Sequence, residues 1–162
     1  MSDMAPRVVV IDDGYADYEA ERAALASVGA RVDLCACGGD AGSRLHELAD
    51  AQVLLVRESR IGAAAIAALP RLRGIVRYGI GVDNIDLAAA ASRRVFVANV
   101  PDYGTEEVAD QALALMLAVV RRVVTRDAGV RAGAWNVAGR EPIYRIAGKT
   151  LGLVGYGRIA RA

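Results

Sequence analysis

The chain has 162 residues, 54% of them hydrophobic and 24% charged, with a formal net charge of +1. That length suits one domain, or one domain and part of another, and can bury a core without a disulfide or metal staple. A charge so near zero argues against nucleic acid or a membrane surface as the main partner. The longest apolar run, Ala112 to Val120, falls well short of the roughly 20 residues of a membrane span. Asp3, Asp12 and Asp13 interrupt the start, so no signal peptide is expected and a cytoplasmic location follows.

The first hundred residues alternate between apolar runs and helical segments. Val8, Val9, Val10 and Ile11 form a continuous apolar run, as expected of a strand covered on both faces. Asp12-Asp13-Gly14 turns the chain into a helix reaching about Val28, with Gly29 as its C′ residue. Strands are expected at 32–36, 53–56, 74–78 and 95–98, and short helices at 43–49, from Gly62 to Pro70, and from the cap Asp86 to Ser92. Such alternation means parallel βαβ units with right-handed crossovers, hence an α/β fold with a doubly wound sheet. Cys35 and Cys37, two apart on a strand, are read as core thiols rather than metal ligands. His46, the sole histidine, is expected in a solvated helical position.

Ligands of such a sheet bind beyond the carboxyl ends of its strands. Those ends carry Asp12 and Asp13, residues 57–60, the turn Tyr78-Gly79-Ile80-Gly81, and Asn99-Val100-Pro101. The two glycines of the fourth-strand turn permit a backbone anion site. They equally permit a plain tight turn capped by Asp83 or Asp86.

After Pro101 the rhythm changes. Thr105 can cap a helix with Glu106 and Glu107 in its first turn, where their charge is favourable. From Ala112 to Val120 that helix is apolar all round, which calls for burial on several sides. A second helix is expected over 125–133, followed by an irregular arm over 135–147 with Trp135 as its anchor. Thr150 to Val154 then reads as a strand running into Gly155-Tyr156-Gly157-Arg158-Ile159-Ala160, a Gly-x-Gly-x-x-Ala turn opening a helix. In that context Gly155 makes the tight turn and Gly157 lets the backbone approach a pyrophosphate at the helix N-terminus. The acidic ribose-binding residue expected about 20 positions on falls past Ala162.

Three stretches together resemble the D-isomer-specific 2-hydroxyacid dehydrogenases. They are Arg77 to Asp86, Asn99 to Asp110, and Gly148 to Ile159, in the family's order and spanning most of the chain. The likeness is greatest to the branch that holds phosphoglycerate dehydrogenase and the carboxyl-terminal-binding proteins. It implies a flavodoxin-like substrate domain over residues 1–101 and the start of a Rossmann NAD-binding domain over residues 102–162. It implies a substrate carboxylate held on backbone amides of Tyr78, Gly79 and Ile80, with Arg57 at a cleft position some relatives use for substrate phosphate. NAD is the implied cofactor, with Ile80, Gly155, Gly157, Arg158 and Ile159 as its contacts, and a homodimer is implied for the intact protein.

The family's catalytic Arg, Glu and His lie downstream of the glycine loop, at positions this chain does not have. His46 matches none of them. The expectation is therefore an N-terminal piece of an NAD-dependent D-2-hydroxyacid dehydrogenase, inactive by itself, that would reduce a 2-keto acid when whole. A peptide-binding module resembling the corepressor use of carboxyl-terminal-binding proteins is the alternative. A phosphoacceptor signalling domain is rejected, because Arg57 and Asn99 stand where it needs an Asp and a Lys.

Overall fold

The computed structural model describes residues 5–135 and 142–162. Contacts within the chain divide it into two compact units, residues 1–103 and 104–162.

The first unit is a five-stranded parallel sheet flanked by helices. Its strands are β1 (Arg7–Val10), β2 (Arg31–Leu34), β3 (Val53–Val56), β4 (Gly74–Arg77) and β5 (Phe96–Ala98), in the spatial order β2-β1-β3-β4-β5. This is the doubly wound sheet expected from the alternation, in the flavodoxin-like winding that the family resemblance implies, and its direction reverses between β1 and β3. Register follows the apolar runs: Val8 lies opposite Val53, Leu54 opposite Ile75, and Val56 opposite Arg77. Successive side chains therefore feed two cores. Val9, Ile11, Leu54, Val56 and Ile75 meet α2 (Leu45–Leu48), α3 (Ala63–Ala68) and α4 (Leu87–Ser92) on one face. Val8, Val10, Val32 and Leu55 meet Tyr18 and Leu25 of the α1 segment (Glu19–Leu25) on the other.

Local chemistry sets the helix ends. Asp86 accepts from the Ala89 N–H at 2.9 Å and starts α4. Gly29, at φ +65°, closes the 3-10 turn that extends α1. Arg93 donates to the carbonyls of Ile66 and Ala67, at 2.7 and 2.6 Å, and so satisfies the C-terminal end of α3. At the amino edge of the sheet, Arg7 ties β1 to Asp33 at 2.8 Å and to Asp50.

Single bridges continue the parallel order past the carboxyl edge, Asp40 with Arg60 and Ile61 with Ile85. They fasten the loops after β2, β3 and β4 to one another just where a ligand would bind.

The second unit contains α5 (Thr105–Val120), α6 (Val123–Arg131) and α7 (Arg158–Arg161), with α5 against both of the others. It departs from the sequence reading in three places. No residue of α5 is buried, although the apolar run called for burial on several sides, and Leu113, Leu115, Leu117 and Val119 are exposed. Residues 151–154 form no strand, since no neighbouring backbone within the described unit offers them a ladder. Trp135 is 87% exposed and anchors nothing among the described residues. Part of the expected irregular arm, residues 136–141, lies outside the described residues. No helix of the described residues is long and apolar enough to cross a membrane.

Candidate functional site

The carboxyl edge of the first unit is organised by one carboxylate. Asp12, the second residue past β1, accepts from the backbone N–H of Arg57, Glu58 and Ser59 at 2.6, 3.1 and 3.1 Å. It also accepts from the Ser59 hydroxyl at 2.6 Å, and Ser59 is fully buried. Burial pushes the Asp12 carboxyl upward, but the Ser59 hydroxyl and the three amides outweigh it and hold the group below its ordinary value. Asp12 therefore serves as an internal anion for the turn after β3. The fixed turn in turn holds the next loop, since Asn84 donates to the Ser59 carbonyl at 2.9 Å and its own carbonyl accepts from the Ile61 N–H at 2.8 Å.

The turn after β4 has its carbonyls fixed and part of its amide row open. The Gly79 carbonyl accepts from the Val100 N–H at 3.1 Å, and the Ile80 carbonyl accepts from the Asn99 amide at 2.7 Å. Tyr78 gives its N–H to the Val56 carbonyl, completing the sheet ladder, and Gly79 gives its N–H to the Arg77 carbonyl across a three-residue turn. The Ile80 and Gly81 N–H groups have no intrachain acceptor among the described residues. The resemblance implies a carboxylate on the amides of Tyr78, Gly79 and Ile80. The first two amides are spent on internal bonds, and the open pair is Ile80 with Gly81.

A cation stands beside that pair. The Arg77 guanidinium folds back over Gly79, where an added Cβ would lie 1.6 Å from its Nη1. Its Nε is buried without a hydrogen-bond partner, and no carboxylate pairs with the group among the described residues. An unpaired buried guanidinium nitrogen is costly unless a ligand meets it. Sequence reading placed Arg77 at the head of the motif but gave it no role. The available signal was that it ends a central strand, directly before two glycines. Asn99 and Asp12 read in sequence as strand ends, without a structural partner for either.

Arg57 occupies the neighbouring strand end; its Nε is likewise buried without a hydrogen-bond partner, but the rest of its guanidinium is engaged. Its guanidinium carbon lies 5.6 Å from the centroid of the Tyr15 ring, its Nη1 donates to the Gly14 carbonyl at 3.3 Å, and its Nε is 3.7 Å from Glu58. The Tyr15 ring also meets Tyr78 and Tyr18 edge-on, at centroid separations of 5.6 and 6.3 Å. Tyr78 donates its hydroxyl to Glu21 at 2.8 Å; burial and that acceptor push its phenol upward, so it stays a neutral donor.

In the second unit, Gly155 adopts φ +93°, a left-handed conformation that fits a tight turn. Gly157 is extended and precedes α7, and nothing stands within 4 Å of the position its Cβ would take. The backbone here is open to a phosphate, with Arg158 and Ile159 in the first turn of the helix. Cys35 and Cys37 are buried in the larger core, where burial pushes the Cys37 thiol up to about 12. His46 is exposed on α2. No cluster of metal-ligating side chains exists among the described residues.

The family model of the D-isomer specific 2-hydroxyacid dehydrogenase catalytic domain matches residues 9–154. The chain belongs to this family. Among curated dehydrogenase relatives, a glyoxylate reductase of Thermococcus litoralis is 43% identical over 119 residues, covering 70% of this chain and 36% of the relative. A D-3-phosphoglycerate dehydrogenase of Mycobacterium leprae is 37% identical over 159 residues, covering 95% of this chain and 28% of the relative. The crystal structure of an NADPH-dependent glyoxylate/hydroxypyruvate reductase from Sinorhizobium meliloti, in complex with NADP and malonate, superposes with a TM-score of 0.75. It is 28% identical, with 98% of this chain and 48% of that one covered. The chain thus spans about a third of the curated relatives it matches and about half of that solved chain.

Proposed function

We propose that this chain carries the acid-binding part and the dinucleotide-phosphate loop of an oxidoreductase that interconverts a D-2-hydroxy acid and its 2-keto acid. The observation that carries the reading is the pairing of the open Ile80 and Gly81 amides with the unpaired Arg77 guanidinium. Two N–H groups and a cation match the two oxygens and single charge of a substrate carboxylate. Fixing that carboxylate orients the neighbouring carbonyl or hydroxyl carbon for transfer.

The cofactor in this reading is a nicotinamide dinucleotide, which supplies the hydride. Gly155, Gly157, Arg158 and Ile159 would hold its pyrophosphate, and Ile80 lies at a further family contact. The relatives' names support the reaction class, and the NADP in the Sinorhizobium reductase supports the cofactor class. A homodimer of the intact protein belongs to the same reading.

The 162 residues alone are expected to catalyse nothing. Keto-acid reduction needs a proton donor beside the carbonyl, and the sole histidine, His46, lies exposed on α2. Joining residues 1–162 to the downstream part of the Thermococcus litoralis glyoxylate reductase tests the reading. The folded chimera should oxidise NADH or NADPH with glyoxylate, pyruvate or hydroxypyruvate. The isolated chain should show no such turnover. A folded chimera inert towards all three acids would contradict the proposal.

A further inference from the structure

The Tyr15–Arg57 pair bears on which acid fits. Tyr15 belongs to the loop after β1, yet its ring meets that of Tyr78, the first residue past β4. Half-exposed loop tyrosines are ordinarily mobile. This one is held on two edges by Tyr18 and Tyr78 and on one face by the Arg57 guanidinium. Gly14 makes the arrangement possible, because a Cβ there would stand 2.3 Å from Arg57 Nη1. The Tyr15 hydroxyl has no partner among the described residues, and the ring is 48% exposed. Arg57 thus has one terminal nitrogen on the Gly14 carbonyl and its guanidinium over an aromatic ring, while its buried Nε, like that of Arg77, has no hydrogen-bond partner.

Resting on the carboxylate reading above, we propose that Tyr15 is a specificity-determining residue and Arg57 its buttress. The ring forms the wall met by the far end of the acid and selects a short, uncharged side chain over a phosphorylated one. A phosphate dianion on the substrate would need several donors. Recruiting Arg57 for that purpose would break both its Gly14 bond and its seat on Tyr15. The expectation that Arg57 binds substrate phosphate is replaced by a positioning role.

Nuclear magnetic resonance titration of the 162-residue chain with D-2-hydroxybutyrate and with D-3-phosphoglycerate, read at the Ile80 and Gly81 amides, tests this. The uncharged acid should bind at least as tightly as the phosphorylated one. Arg57→Gln should leave phosphoglycerate affinity within about twofold and weaken the uncharged acid several-fold by loosening Tyr15. Gly14→Ala, whose new methyl displaces only a flexible side-chain end, should free Arg57 and strengthen phosphoglycerate several-fold. That gain should vanish in the Gly14→Ala/Arg57→Gln double variant. Phosphoglycerate binding about tenfold tighter to the unaltered chain, and lost selectively in Arg57→Gln, would overturn the proposal. If neither acid moves the Ile80 and Gly81 amides, the underlying carboxylate site fails, and this inference with it.

Discussion

Asp12→Ala should cost about 2–3 kcal/mol of unfolding free energy at neutral pH, a large share of a domain's ordinary margin. The carboxylate takes four bonds, and the Ser59 hydroxyl is among the deeply buried groups that would lose their acceptor. Ser59 is fully buried, so the loss should exceed that of a typical surface hydrogen bond. Asp12→Asn should be nearly as harmful, since its amide nitrogen would face N–H donors.

The pH dependence has a definite sign. The folded carboxyl is held below its ordinary value, so the unfolded chain takes up the proton first as pH falls. The contribution is complete above the unfolded value of about 3.9 and disappears as pH drops through the folded value. Urea midpoints measured at pH 7 and pH 3 should therefore converge between the unaltered chain and Asp12→Asn at the lower pH. Parallel midpoints across that window would show that the carboxylate is not the clamp.

Arg77→Gln should lower affinity for a 2-keto acid analogue about tenfold or more while changing stability little. A charge-assisted bond to a carboxylate is worth roughly 1.5–3 kcal/mol, and each 1.4 kcal/mol is a factor of ten. Stability should hold because Arg77 gives no carboxylate partner to the fold among the described residues. Gly79→Val reaches the same end by a different route. Gly79 lies outside the left-handed region, so the new side chain meets no backbone strain. Its Cβ instead collides with the Arg77 guanidinium, whose flexible stem can swing away from the turn. Affinity should fall and the denaturant midpoint should move much less. A large midpoint shift with unchanged affinity would make both residues structural.

The parallel sheet was legible because its signal is dense and local. Residues 8–11 and 53–56 are runs of branched apolar side chains, and Gly29 and Asp86 close and open helices by chemistry that needs no tertiary context.

What was not legible depended on the direction of individual bonds. Nothing in the order Tyr-Gly-Ile-Gly tells which amides the fold consumes. The ladder takes the Tyr78 N–H because β4 ends in register with Val56, and the three-residue turn takes that of Gly79. Asp12 reads as a turn residue in sequence, and only the fold brings it to Ser59, 47 positions away. Arg57 was assigned by position in a motif, whereas its engagement with Tyr15 depends on the missing Cβ of Gly14. The apolar α5 run states a demand for burial without saying which surface meets it.

In the proposed function, the turn after β4 holds a 2-keto acid by its Ile80 and Gly81 amides with Arg77 beside them. Titrating the isotope-labelled 162-residue chain with oxamate, a stable analogue of pyruvate, and following every backbone amide tests it most directly. Saturable, concerted shifts are expected at Ile80 and Gly81, with Tyr78 and Gly79 moving far less because their N–H groups are already bonded. Those shifts should be lost in Arg77→Gln. Saturable shifts confined to other loops, or none at Ile80 and Gly81 as oxamate rises through the millimolar range, would contradict it.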